Sequence, residues 1–281
     1  MNRTAIITDS TAYLPQTLVD QYQIKTLPLQ INWGEETFKD GIDITPKEFY
    51  PRLSGSKQLP TTSQTTMFDF LQAYQELAPE HDGILAVLIS AGISGTIDSA
   101  LAARAEFDQI PVEIINTKST GAAQAMVTLA AARAVENGLS FEEVVKIARQ
   151  TAERTKTFFV VDTLEFLHKG GRIGGASRYF GSALQIKPIL TFDDDGKIDA
   201  LERARTKKKA LERLVELARE QANGGKVHLG IMHSVSPEEA NQVREALEQT
   251  LDCAEVLTVE LSPVIGTHVG PGTIGLAIYS E

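Results

Sequence analysis

The feature that most restricts the fold of this chain is the run Ile84-Leu85-Ala86-Val87-Leu88-Ile89, which carries no polar alternation and leads at once into Ser90-Ala91-Gly92-Ile93-Ser94-Gly95-Thr96 and a helical pattern. A strand with one wet face alternates apolar and polar residues; a continuous run is buried on both faces, as in a parallel sheet with helices packed on each side. Shorter β-rich runs at 4–8 and 112–115 and helical patterns at 66–77, 96–107, 120–137 and 140–153 repeat the strand-helix alternation, so the first half is expected to be βαβ units on a largely parallel sheet. Ser140 followed by Glu143 is a capping-box start, and the alanine-rich stretch 122–134 predicts a helix packed closely on the sheet. The run 24–33 contains Pro28 and is expected to be an edge or irregular strand.

A polar stretch at 154–157 marks the expected crossing between two domains, an N-terminal α/β domain at 1–156 and a C-terminal mixed α/β domain at 157–281. The second is expected to hold strands at 158–161, 188–192, 197–202, 227–232, 255–259 and 275–279, and helices at 207–221 and 237–251. Asp193-Asp194-Asp195-Gly196 joins two β-rich runs and reads as a hairpin turn. It lacks the ligand spacing and closing glutamate of an EF-hand loop. With 281 residues, 42% of them hydrophobic, the chain can bury a sizeable core.

A formal charge of −10 argues against a general nucleic-acid binder, so any bound anion must be gripped locally. The single cysteine, Cys253, cannot close an internal disulfide, and the N-terminal apolar run is too short for a signal peptide; a cytoplasmic location is expected.

Three hydroxyl-rich loops are candidates for the chemistry. Ser94 and Thr96, beside Gly95, stand at a helix start, where free backbone N–H groups and the helix dipole favour a carboxylate or phosphate. Ser94 acting only as a helix cap is the competing explanation. Pro60-Thr61-Thr62-Ser63-Gln64 precedes another helix and has the same character, though taken alone it reads as a proline-initiated turn with an N-cap. Asp9-Ser10-Thr11 carries an acid that would repel an anion, so Asp9 is assigned to capping or loop support. The second half supplies cations: Arg172 after Gly170-Gly171, His268 in a glycine-rich loop, and the basic run Arg203, Arg205, Lys207, Lys208 and Lys209. There is no Walker loop, dinucleotide fingerprint, His-Glu-x-x-His or Gly-x-Ser-x-Gly. From the residues alone, an anion site between two domains is as far as the reading goes. A binding module and an enzyme acting on a small phosphorylated or carboxylated metabolite, with His268 as acid or base, both fit it.

In their joint order these segments resemble the DegV family of bacterial fatty-acid-binding proteins. The resemblance runs through Asp9-Ser10-Thr11, Asp40-Gly41-Ile42-Asp43-Ile44-Thr45, Pro60 to Gln64, Ile93 to Thr96, Thr163-Leu164-Glu165-Phe166-Leu167 and Gly170-Gly171-Arg172-Ile173. It continues in Lys187-Pro188-Ile189-Leu190, the basic run, and His268 with Gly270-Pro271-Gly272. It implies a non-enzymatic subunit that holds a long-chain fatty acid in an apolar tunnel and needs no cofactor of its own. Thr62 and Ser94 would bond the carboxylate, with Arg172, His268, Ser63, Gly95 and Thr96 in the surrounding network. It also implies a partner fatty-acid kinase, resembling dihydroxyacetone kinase, that uses ATP and magnesium to make an acyl phosphate for phospholipid metabolism. Arg203 and Arg205 would dock that partner, and a transient contact with a membrane surface fits the same picture.

Overall fold

The computed structural model describes residues 3–181 and 186–281. Before residue 155 it contains strands β1 (Thr4–Asp9), β2 (Lys25–Leu27), β3 (Gln30–Trp33), β4 (Glu36–Lys39), β5 (Thr61–Ser63), β6 (Gly83–Leu88) and β7 (Val112–Asn116). The helices there are α1 (Gln16–Gln21), α2 (Pro46–Gly55), α3 (Met67–Leu77), α4 (Thr96–Ala105), α5 (Ala122–Glu136) and α6 (Phe141–Arg154). After it come β8 (Lys156–Val160), β9 (Lys187–Phe192), β10 (Ile198–Ala204), β11 (Val227–His233), β12 (Cys253–Glu260) and β13 (Ile274–Ser280). The accompanying helices are α7 (Glu165–Lys169), α8 (Lys207–Ala222), α9 (Pro237–Glu248) and α10 (Pro263–Val269).

The apolar run becomes β6, every residue of which is buried, in a parallel sheet of order β2-β1-β6-β7. The strand order reverses between β1 and β6, so the loops after these strands diverge and leave a crevice at the carboxyl edge of the sheet. The Ser90–Thr96 loop lies there. A six-stranded mixed sheet of order β10-β9-β8-β13-β11-β12 takes the strands from Lys156 onward, and only its β11-β12 pair is parallel. The fold is therefore mixed α/β, with a parallel and a mixed sheet.

The alanine-rich segment does what its composition suggests. Helix α5 is buried almost all round, because alanine lets backbones approach on both sides. On one side Gln124 accepts from Thr11 Oγ1 at 2.8 Å and donates to Thr8 Oγ1 at 3.2 Å, beneath the parallel sheet. On the other, Ala122 packs against β11 so tightly that a Cβ on Gly230 would lie 2.5 Å from the Ala122 Cβ. One apolar cluster accordingly includes Ile6, Leu85 and Val87 together with Leu190, Ile198 and Met232. Helix α6 begins at the capping box of Ser140 and Glu143, as expected.

The segment 24–33 is not one strand. Pro28, which has no N–H to give a ladder, separates β2 at the edge of the parallel sheet from β3 in a small antiparallel sheet of order β4-β3-β5. The Asp193–Gly196 turn is a hairpin: Asp193 N donates to Lys197 O at 2.9 Å, and Asp193 Oδ1 accepts from the Asp195 and Lys197 amides. Among the described residues no helix is long and apolar enough to cross a membrane.

Candidate functional site

A cavity opens where the Ser90–Thr96 loop, β5 and α10 converge, with roughly 800 Å³ of space not filled by protein atoms, counted out to its mouth. Its wall is mostly apolar, including Ile89, Ile93, Phe159, Leu167, Phe192 and Met232. The polar residues in it include Thr62, Ser63, Ser94, Arg172 and His268, and Arg172 is the single charged side chain of the wall among the described residues.

The sequence expected His268 in a loop, and the structure corrects this. Ser262 accepts from Ile265 N and Pro263 takes the first helical position, so residues Pro263–Val269 wind into α10, which ends at Gly270. Helical geometry aims the imidazole across at β5, where its Nε2 meets Thr62 Oγ1 at 2.8 Å. Thr62 is likewise not in a proline-initiated turn. It pairs in register with Ile31 of β3, which fixes the direction of its hydroxyl.

Burial, reinforced by the charge of Arg172, pushes the His268 pKa down to about 4, so the ring is neutral near pH 7. Its Nδ1 has no hydrogen-bond partner among the described residues. An orphaned buried N–H is rarer than an orphaned acceptor, so the proton is assigned to Nε2. The imidazole then donates to Thr62, and the Thr62 hydrogen is left to donate to an anion. The fit is close: a Cβ on Gly170 would fall 2.3 Å from His268 Nδ1, so only glycine at that position leaves the ring its place.

Ser94 stands one residue ahead of the cap position of α4 and in the cavity wall. Its Oγ accepts from Thr96 N at a long 3.3 Å, a weak cap, and shares a hydrogen with Thr96 Oγ1 at 2.9 Å, while the residue also lines the cavity. Gly95 is the cap position of α4 and lies against Gln64, and Ser63 Oγ accepts from Asn32 Nδ2 at 2.8 Å. Arg172 reaches over the loop, donating from Nε to Ile93 O at 3.2 Å and from Nη1 to Gly170 O at 2.7 Å. Hydroxyls from one half of the chain and basic side chains from the other are thus brought together.

Arg203 and Arg205 are not brought in. They do not line the cavity; both side chains are exposed, at the end of β10 and just beyond it, and neither has an ion-pair partner among the described residues. Asp9 accepts from Thr11 N at 3.0 Å and Ile89 N at 2.8 Å, joining the ends of β1 and β6, and burial raises its pKa against the effect of these bonds.

Sequence reasoning missed the clamp that holds the Ser94 loop. Ser90 Oγ donates to Gly196 O at 2.6 Å and Lys118 Nζ to Asp194 O at 2.6 Å, seating the β9–β10 hairpin on the loop. The approach is so close that a Cβ on Gly92 would be 2.5 Å from the Gly196 carbonyl carbon and oxygen. It also missed Thr120, Thr157 and Thr273 in the wall. For Thr120 a signal existed, since it follows the carboxyl end of a parallel strand.

Comparison with known proteins gives the same outline. A family model described as "Uncharacterised protein, DegV family" matches residues 3–281. Protein DegV of Bacillus subtilis is 36% identical over 274 residues, 97% of each chain. A DegV family protein of Thermus thermophilus, described as fatty acid binding, superposes with a TM-score of 0.94 at 35% identity, covering 99% of this chain and 100% of its own. The structure of the Bacillus subtilis DegV, described as a fatty acid binding protein, gives 0.92 at 35% identity with both chains fully covered. Match along almost the whole length, in sequence and in fold, places this chain in the DegV family.

Proposed function

We propose that this protein holds a long-chain fatty acid, its tail in the apolar cavity and its carboxylate on the hydroxyls of Thr62 and Ser94. The observation that carries the reading is the Thr62–His268 pair which, with Ser94, lines a mostly apolar cavity. Ser63, Gly95, Thr96, Arg172 and His268 would orient these hydroxyls, with Arg172 supplying the positive charge. The two proposed domains, 1–156 and 157–281, would then contribute the hydroxyls and the basic groups respectively. Each buried CH₂ contributes about 0.8 kcal/mol, so a chain of roughly sixteen carbons gains on the order of 10 kcal/mol before ordering costs. Such a ligand should survive purification.

The protein would act as a carrier in the cytoplasm without cofactor or catalysis of its own. A partner kinase resembling dihydroxyacetone kinase would supply ATP and magnesium: a carboxylate oxygen takes the γ-phosphoryl group, ADP leaves, and an acyl phosphate remains. The exposed Arg203 and Arg205, without an ion-pair partner among the described residues, suit docking of such a partner. The alternative, an enzyme acting on a small polar metabolite, calls for a wet cleft, and the apolar wall speaks against it.

Lipid extraction of the recombinant protein followed by mass spectrometry tests the reading. Near-equimolar fatty acid, depleted in a folded Ser94→Ala variant, is the expected result. A folded protein that carries no lipid and takes up neither palmitate nor oleate would refute it.

A further inference from the structure

Two hollows in this molecule share part of one wall. Beside the apolar cavity, at the carboxyl end of β7, lies a second hollow bordered by the exposed Lys118, Arg149, Glu153, Lys156, Asp193 and Asp194. Thr157 and Phe192 line both. None of Thr62, Ser94, Arg172 and His268 lines the second hollow, so the two meet away from the carboxylate site.

Sheet geometry shows how the shared wall is built. Phe159 of β8 pairs with Leu190 of β9, and alternation along the strands puts Thr157 and Phe192 on the same face as that pair. The Phe159 and Phe192 rings meet there, 5.9 Å apart between centroids. Along β8, Lys156 and Thr157 border the second hollow, whereas Thr157 and Phe159 border the first. Two residues of strand span only about 7 Å, so little more than one side chain stands between the hollows. Thr157 is fixed in the wall by its Oγ1, which meets Ser119 Oγ at 2.9 Å. Phe192, half-buried, is held by packing alone.

The two sides differ in chemistry. A hydrocarbon gains by leaving water for the side of Phe159, Ile198 and Met232. Among the hydrated charges beyond the wall an added CH₂ gains nothing. We propose that Phe192 is the end wall for the acyl tail and sets the longest chain that this protein holds in full, with the charged hollow directly beyond it. The proposal rests on the fatty-acid reading and adds the residue that limits chain length.

The test is calorimetric titration of the delipidated full chain with saturated fatty acids from laurate to behenate, and with the α,ω-dicarboxylic acid of each length. In the unchanged protein affinity should rise about fourfold per added CH₂ up to a definite length and then stop rising. Dicarboxylic acids should bind at least about a hundredfold more weakly than the matching monoacids, because the far carboxylate would be buried unpaired against the ring. Phe192→Ala should move the break to chains longer by about two carbons or more, and should take long dicarboxylic acids within about tenfold of the monoacids, their far end now emerging in the charged hollow. Phe192→Leu should shift both readouts in the same direction by less, and carries the test should the alanine variant not fold. Leu167→Ala, which enlarges the first cavity away from the shared wall, should still refuse the dicarboxylic acids. A break that stays in place in the Phe192 variants, or dicarboxylic acids refused by these variants or accepted by the unchanged protein or by Leu167→Ala, overturns the proposal while fatty-acid binding stands. Failure of the unchanged protein to bind any monoacid overturns both.

Discussion

Replacing Thr62 by valine probes the centre of the site with little change of shape. Both residues are β-branched and suit β5, so the pairing with Ile31 should persist. The lost atom is the Oγ1 that lies 2.8 Å from His268 Nε2. Two costs follow. In the free protein the imidazole N–H loses its partner in a buried place, about 1–3 kcal/mol of stability. In the complex a hydrogen bond to a charged carboxylate disappears, about 1.5–3 kcal/mol, or roughly a 10- to 150-fold rise in Kd. Calorimetric titration with palmitate and with the chain-matched alcohol separates head from tail, because both bury the same hydrocarbon. The acid should lose at least tenfold and the alcohol markedly less, while the urea midpoint falls. Equal losses for acid and alcohol, or no loss for the acid, would refute the reasoning that Thr62 carries the carboxylate.

Other perturbations test the supports of the site. Gly92→Ala should force the β9–β10 hairpin off the Ser90–Thr96 loop, since the new Cβ would lie 2.5 Å from the Gly196 carbonyl; faster amide exchange in the loop and a stability loss of about 1–3 kcal/mol are expected, and unchanged exchange would count against the clamp. Asp40, which accepts from Ser10 Oγ at 2.8 Å and Val264 N at 3.4 Å, has its pKa raised from 3.8 to about 7, chiefly by burial. The unfolded chain therefore releases this proton first, and the Asp40 contribution to stability declines as pH rises from about 4 to about 7 and is level above. His268, its pKa depressed from 6.5 to about 4, contributes the opposite trend as pH falls through that interval. Urea midpoints across this range should differ in slope between the unchanged protein and Asp40→Asn, and parallel profiles would contradict the assignment. Reversing the charge of Arg203 and Arg205 together, Arg203→Glu with Arg205→Glu, should leave fatty-acid affinity within about twofold yet lower acyl phosphate formation by a partner kinase at least tenfold. Unaltered phosphorylation at limiting kinase would remove these residues from the docking surface.

What the sequence determined by itself was local. The unbroken apolar run at 84–89 required a strand covered on both faces, Ser140 with Glu143 started α6, alanine let α5 be enclosed, and Asp193 with Gly196 turned the hairpin. Each depends on periodicity or on hydrogen bonds within a few residues, which a linear chain already displays. The hydroxyl loops and the basic residues were legible as candidates for the same reason, and their joint order as a family resemblance.

Tertiary structure alone decided which of them meet. Thr62 and His268 are 206 positions apart, and their contact requires both the three-residue strand β5 and the short helix α10. Neither element is long enough to show a period. Ser90 and Gly196 meet across 106 positions because the hairpin of one sheet rests on the loop of another. Arg203 and Arg205, five and seven positions after cavity-lining Ile198, were left outside on the surface. Contacts of this kind depend on the path of the whole backbone and on close packing between sheets, which no window of neighbouring residues encodes.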